Sequence, residues 1–178
     1  ASSLPYQVNF IIAFLIAPLV SFLMITFLTG VPVKKNMPLI SQFSLLFLSG
    51  YLVLVSIAYS SQFVLFPALL ETKDLANTHL WYFNLETSLP YFLNQLGYVF
   101  FSIAAVLTGY KLFSSSGLLT AAGVFLWLSA AFQFLAFIGL IIGHDLLISA
   151  TFLSGLMTLP VGIIAAIQGF VWLHDLGQ

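Results

Sequence analysis

The chain has 178 residues, of which 61% are hydrophobic and only 5% are charged. A soluble domain carries about 25% charged residues, so the few ionic side chains here cannot cover a soluble fold of this size. The chain has no cysteine and no arginine, which excludes disulfides, thiolate chemistry and arginine clamps for phosphate, and it has no basic patch for nucleic acid.

Apolar runs longer than 18 residues recur along the chain, which is the pattern of membrane-spanning helices. The sequence therefore predicts an all-α integral membrane protein in which residues 1–178 form a single bundle of five transmembrane helices. An N-terminal segment, either a cleaved signal peptide or a sixth helix, is expected to be missing before Ala1. The five predicted spans are residues 7–29, 38–66, 89–113, 118–142 and 147–173.

The second apolar run continues from residue 38 to residue 70. A helix of that length would measure about 50 Å, which is more than a hydrocarbon core of about 30 Å can hold. We expect this helix to tilt, to project from the membrane, or to end near residues 59–62.

Residues 71–88 form the longest polar connection, and they hold three of the five acidic side chains. Leu75, Trp81, Tyr82 and Phe83 interleave with the polar residues there, and Trp and Tyr favour the membrane surface. The sequence predicts a short amphipathic helix in this loop, lying across the ends of the spans.

Lysine positions predict the orientation of the bundle. Lys34, Lys35 and Lys111 fall in connections on one side of the membrane, and Lys73 alone falls on the other. Because lysine is enriched on the cytoplasmic side, the N-terminus and the 71–88 loop are predicted to lie outside and the C-terminus in the cytoplasm.

Uncharged polar residues gather at the loop ends of the predicted spans. Polar side chains inside a membrane need partners, so they face the bundle interior or a water-filled cavity. One hypothesis is an outward-facing polar pocket, covered by the loop, for a small or lipid-like ligand. The alternative is hydrogen bonding between helices alone. The predicted ligand-binding residues are Tyr59, Gln62, His79, Glu86, Gln95 and Tyr98.

Two further patterns concern packing. In the second span Gln42, Ser49 and Ser56 recur every seven residues, which predicts the face that packs against other helices. Small residues at four-residue spacing let helices approach closely, and they predict a face for a homodimer or for another membrane subunit. These pairs are Gly139/Gly143 and Gly162/Ala166.

No catalytic or metal-binding signature stands out, and no cofactor is predicted. The His-Asp neighbours at 144–145 and 174–175 lie about 45 Å apart along a helix, so they cannot share one metal. The best candidate for chemistry is a pair of His79 and Glu86 acting as acid and base on a lipid.

Residues 59–113 resemble a group of uncharacterised bacterial multi-pass membrane proteins, classed as a domain of unknown function. The similar elements are Tyr59, Gln62, Pro67, Glu71 and the segment "LGYVFFSIA" at 96–104. The resemblance implies six helices, hence a missing first one, and it implies no activity.

The sequence thus favours a non-catalytic accessory subunit or binding module, with the lipid bilayer as its first partner. The alternatives are the lipid-acting enzyme described above and a small transporter. An inverted-repeat transporter or a proton pump is disfavoured, because the sequence shows neither an internal repeat nor acids within the spans.

Overall fold

The structure is a computed structural model that describes residues 4–31, 33, 37–83, 87–115 and 117–176, with side chains described from residue 7 to residue 171 of those ranges. All regular structure in these ranges is helical. The helices are α1 (Leu4–Gly30), α2 (Pro38–Phe63), α3 (Leu65–Glu71), α4 (Leu75–Trp81), α5 (Leu89–Leu112), α6 (Leu118–Ile142), α7 (Asp145–Ile148) and α8 (Ala150–Leu176).

Within the described residues, five helical stretches are long and apolar enough to cross a membrane. They contain α1, α2, α5, α6 and α8. The prediction of an all-α membrane protein with five spanning helices is therefore confirmed.

Helix α5 lies at the centre of the bundle. It packs against α2 on one side and α6 on the other, while α1 flanks α2 and α8 flanks α6. Helices α1 and α8 also touch each other and thereby bring the two edges of the arrangement together. The core is built from small and aliphatic side chains on all five helices, with Tyr51 as its largest fully buried member.

A close backbone approach joins α5 and α6. A Cβ added to Gly123 would lie 2.9 Å from the carbonyl oxygen of Gly109, and one added to Gly109 would lie 2.9 Å from that of Gly123. The Trp127 indole closes the same crossing by donating from Nε1 to the Val106 carbonyl at 3.0 Å. Glycine is therefore needed at both positions of the crossing.

The packed face of α2 differs from the predicted one. Ser44, Tyr51 and Val55 are buried, whereas of the predicted stripe Gln42 and Ser49 are exposed and Ser56 is half-buried. The prediction from the seven-residue stripe was wrong because a serine in a helix can satisfy its own hydroxyl: Ser49 Oγ donates to the Leu45 carbonyl at 2.9 Å.

The Gly139/Gly143 pair is used within the chain. A Cβ on Gly139 would lie 2.5 Å from Leu147 Cβ and 2.7 Å from the Ile148 nitrogen, so this glycine lets α7 pack on α6. Gly143 ends α6 in the left-handed conformation, with φ of 68°. Both residues have structural roles that need no second chain.

The end of the bundle where residues 71–88 lie, which we call the loop side, carries the two short helices α3 and α4. Helix α2 ends at Phe63, before the predicted limit at residue 66, and α3 follows after Val64. Asp74 caps α4 by accepting from the Asn77 backbone N–H at 3.2 Å and from the Asn77 side chain at 2.7 Å. These hydrogen bonds, the side-chain bond first, hold the pKa of Asp74 below its ordinary value, so the cap is ionised at neutral pH.

On the side of the bundle opposite α3 and α4, the ammonium group of Lys111 joins two helices. Lys111 is 6% exposed, and its Nζ donates to the carbonyl of Thr29 at the end of α1. A cation is favoured at the C-terminal end of a helix, where unpaired carbonyls collect. This hydrogen bond adds to the packing of α5 against α1.

Candidate functional site

A cavity of about 290 Å³ lies between α1 and α8 and reaches inward to α2, α5 and α6. We call it the α1/α8 cavity. Tyr98 on its wall lies nine residues after the start of α5, roughly 14 Å along the helix, which is near the middle of a hydrocarbon core. Apolar side chains such as Val20 and Phe101 share the wall with polar ones. The polar lining residues are Ser21, Tyr51, Tyr98, Gln133, Thr151, Ser154 and Thr158.

An amide pair forms the polar end of the cavity. Gln133 Nε2 donates to Gln95 Oε1 at 2.7 Å, and Thr151 Oγ1 lies 3.5 Å from the same oxygen. Gln133 is 1% exposed, and its Oε1 has no hydrogen-bond partner among the described residues. A buried acceptor without a donor costs about 1–3 kcal/mol, so Gln133 is a lining residue whose hydrogen bonding is incomplete in the protein alone.

Tyrosine hydroxyls form the second polar feature of the wall. Tyr98 Oη lies 3.4 Å from Tyr59 Oη, and Tyr51 Oη lies 3.4 Å from Ser21 Oγ. Hydroxyl hydrogen bonds normally measure 2.5–3.0 Å, so both contacts are long and weak. The hydroxyl of Tyr98, a half-buried residue, therefore remains able to bond a further group in the cavity, whereas Tyr51 is fully buried.

The cavity opens sideways, towards the bilayer, between α1 and α8. The side chains of Ile16 and Val20 on α1 are 55% and 52% exposed. On α8, a Cβ added to Gly155 would have no atom within 4 Å, whereas one added to Gly169 further along would lie 3.8 Å from the Phe27 ring. The two helices thus meet at one end and leave a gap at the cavity.

The structure places the six predicted ligand-binding residues in different surroundings. Tyr59 and Tyr98 meet at their hydroxyls, and Tyr98 lines the cavity. Gln95 bonds Gln133 behind the wall, and His79 is exposed on α4. Glu86 lies outside the described residues, so its pairing with His79 stays a prediction.

Gln62, the sixth of them, holds the loop in place. Its Nε2 donates to the Trp81 carbonyl at 3.0 Å, and its Oε1 accepts from the Phe83 N–H at 3.1 Å. Gln62 is fully buried by these contacts. The Phe83 ring then sits over the bundle, 4.9 Å from Phe10 and 5.9 Å from Tyr59 between ring centroids. Gln62 and Phe83 thus close the loop side of the bundle, above the cavity.

Six polar lining residues of the cavity were absent from the predicted site: Ser21, Tyr51, Gln133, Thr151, Ser154 and Thr158. A lone glutamine in the otherwise apolar α6 was the available signal, since an amide in a membrane helix needs a partner. No signal in the sequence joined it to Tyr51 or Ser21, because they lie on helices distant in the chain.

No protein family, characterised protein or solved structure matches this chain in the comparisons made. The resemblance drawn from residues 59–113 therefore stays a prediction. Among the described residues there is also no cluster of three or more His, Asp or Glu that could hold a metal ion.

Proposed function

We propose that this protein is a non-catalytic membrane binding module whose α1/α8 cavity holds a lipid-like molecule taken from the bilayer. The proposal rests on Gln133. Its buried Oε1 accepts no hydrogen bond from the described residues, and the residue lines a cavity that a ligand can enter. The cavity volume is close to the lower end of small-molecule sites, about 300–1,000 Å³.

Lateral access supports a ligand from the membrane over one from water. Exposed apolar side chains on α1 and the bare backbone of Gly155 border the gap, and both would face lipid. On the loop side, Phe83 and its aromatic neighbours stand between the cavity and water. A ligand soluble in lipid reaches the cavity without crossing that aromatic layer.

Blocking the gap tests the proposal. Gly155→Phe adds a side chain at the cavity wall where a Cβ meets nothing within 4 Å, so the helix accepts it while the cavity fills. Gly162→Phe is the matched control, because it lies on the same helix, has equal space and does not line the cavity. Native mass spectrometry after gentle extraction is expected to show a lipid-sized adduct on wild type and Gly162→Phe, and at least tenfold less on Gly155→Phe. Equal adducts on all three proteins, or none on any, would refute the proposal.

We also propose the orientation that the lysines indicate, with the α3–α4 side outside. Lys111 lies on the side opposite α3 and α4, and Lys34 and Lys35 lie outside the described residues. The chain has no cysteine, so single cysteines report accessibility directly. In intact cells an impermeant maleimide is expected to label Thr72→Cys at once and Ser114→Cys only after permeabilisation. The reverse pattern would invert the proposed topology.

A partner subunit or a second copy of the chain stays a prediction. Gly162 has open space around it and Ala166 is exposed, so this face of α8 remains available for close packing. The same native mass spectra report the oligomeric state.

A further inference from the structure

The wall of the α1/α8 cavity carries no charge. None of its described lining residues is Lys, Asp, Glu or His, and the buried cation of the bundle, Lys111, is bonded to the Thr29 carbonyl instead. A phosphate, carboxylate or ammonium head would lose its hydration there without gaining a counter-charge, which is strongly unfavourable. The polar group of the ligand must therefore be uncharged.

The wall also requires that this group both donate and accept. Gln133 Oε1 needs a donor, while the long contact of Tyr98 with Tyr59 leaves a hydroxyl that can donate. Ethers and esters accept only, so they leave the amide oxygen unpaired. A hydroxyl does both. With the Gln95 and Gln133 amides rotated by 180°, Gln133 would offer an N–H in place of its oxygen. A hydroxyl group suits that arrangement too, because it accepts as readily as it donates.

The size of the cavity limits what else enters. About 290 Å³ holds a head group with part of one chain or ring system, and the rest of the molecule lies in the gap beside Val20 and Gly155. We infer that the α1/α8 cavity recognises the hydroxyl group of an uncharged, single-chain amphiphile, such as a long-chain or isoprenoid alcohol. This inference rests on the proposed function and names the ligand class for the same site.

The experiment compares three probes that share one chain and differ in the head: 1-hexadecanol, its methyl ether and hexadecanoate at pH 8. The protein is held in phosphatidylcholine nanodiscs, and occupancy is read by native mass spectrometry as each probe is titrated. We expect the alcohol to bind about tenfold tighter than the ether, the effect of hydrogen bonds that the ether cannot make, and the carboxylate to bind weakest. Farnesol and its methyl ether, run in parallel, separate a linear chain from an isoprenoid one.

Two variants assign the preference to the cavity wall. Gln133→Leu removes the acceptor and is expected to bring alcohol affinity down to that of the ether, whereas Gln42→Leu, on the exposed face of α2, leaves the preference intact. Since Gln133→Leu also removes the partner of Gln95, Tyr98→Phe serves as a second variant that keeps the ring and its packing. It is expected to lose part of the preference.

The outcomes separate the inference from the proposed function. Equal binding of alcohol and ether, both abolished by Gly155→Phe, would overturn the hydroxyl inference and leave a lipid-binding cavity. A preference for alcohol that survives in both Gln133→Leu and Tyr98→Phe would also overturn it. If every probe bound equally well to wild type and to Gly155→Phe, the proposed function itself would be refuted.

Discussion

Replacing Gly123 by valine is expected to cause a large loss of stability. The added Cβ would lie 2.9 Å from the Gly109 carbonyl oxygen and 3.2 Å from the Phe113 ring, and a backbone atom cannot turn aside as a flexible side chain can. Helices α5 and α6 must separate, which strains the central crossing of the bundle. Overpacking of this kind costs about 1–3 kcal/mol or more. Thermal unfolding in detergent, followed by circular dichroism, measures the loss.

The control for this variant is Gly162→Val. It makes the same glycine-to-valine change at a helix position where a Cβ meets nothing within 4 Å. The change in helix propensity is therefore the same in both variants, and only the packing differs. Gly162→Val is expected to unfold within a few degrees of wild type. Similar unfolding temperatures for the two variants would show that α5 and α6 do not cross at Gly109 and Gly123.

The second large effect is expected from Gln62→Leu. The leucine fills a similar volume but leaves the Trp81 carbonyl and the Phe83 N–H without their partner on α2. Each unpaired buried group costs about 1–3 kcal/mol, so the loop should detach from the bundle rather than keep both buried. Hydrogen exchange at the Phe83 amide is expected to accelerate at least tenfold, the factor that corresponds to about 1.4 kcal/mol.

Gln42→Leu provides the comparison for the loop experiment as well, since Gln42 is exposed on the same helix. Exchange at Phe83 should match wild type in that variant. If Gln62→Leu also left the Phe83 amide protected, the loop would be held by the aromatic contacts of Phe83 with Phe10 and Tyr91, and the amide clamp would be incidental.

Much of the fold could be predicted from composition and run length, because a membrane helix is specified by about 20 consecutive apolar residues. A break in the long second run was one of three expectations from its excess length, and α2 ends at Phe63 before α3 begins at Leu65. The helix faces that pack against other helices were harder to predict. Seven-residue spacing selected the exposed Ser49 over the buried Ser44, since a hydroxyl can bond its own helix as well as a neighbour.

The candidate site, too, could be predicted only in part from the sequence. The sequence predicted a polar cluster under the loop, and Tyr59, Gln62 and Tyr98 are indeed buried or half-buried in the bundle. Which polar group bonds which depends on helix rotation, and a single sequence does not determine that. Gln62 bonds to backbone groups of the loop, whereas Gln133, in the apolar helix α6, has an unpaired side-chain oxygen.

Photo-crosslinking on the unmodified chain tests whether the bilayer supplies a ligand to the α1/α8 cavity. A long-chain alcohol bearing a diazirine near its hydroxyl would be activated with the protein in phosphatidylcholine nanodiscs, and labelled peptides would be mapped by mass spectrometry. We predict labels at residues 16–21 of α1 and 151–158 of α8, which excess unlabelled alcohol removes. Labels spread over other lipid-facing surfaces, such as residues 39–46 of α2, and insensitive to competition would contradict the account.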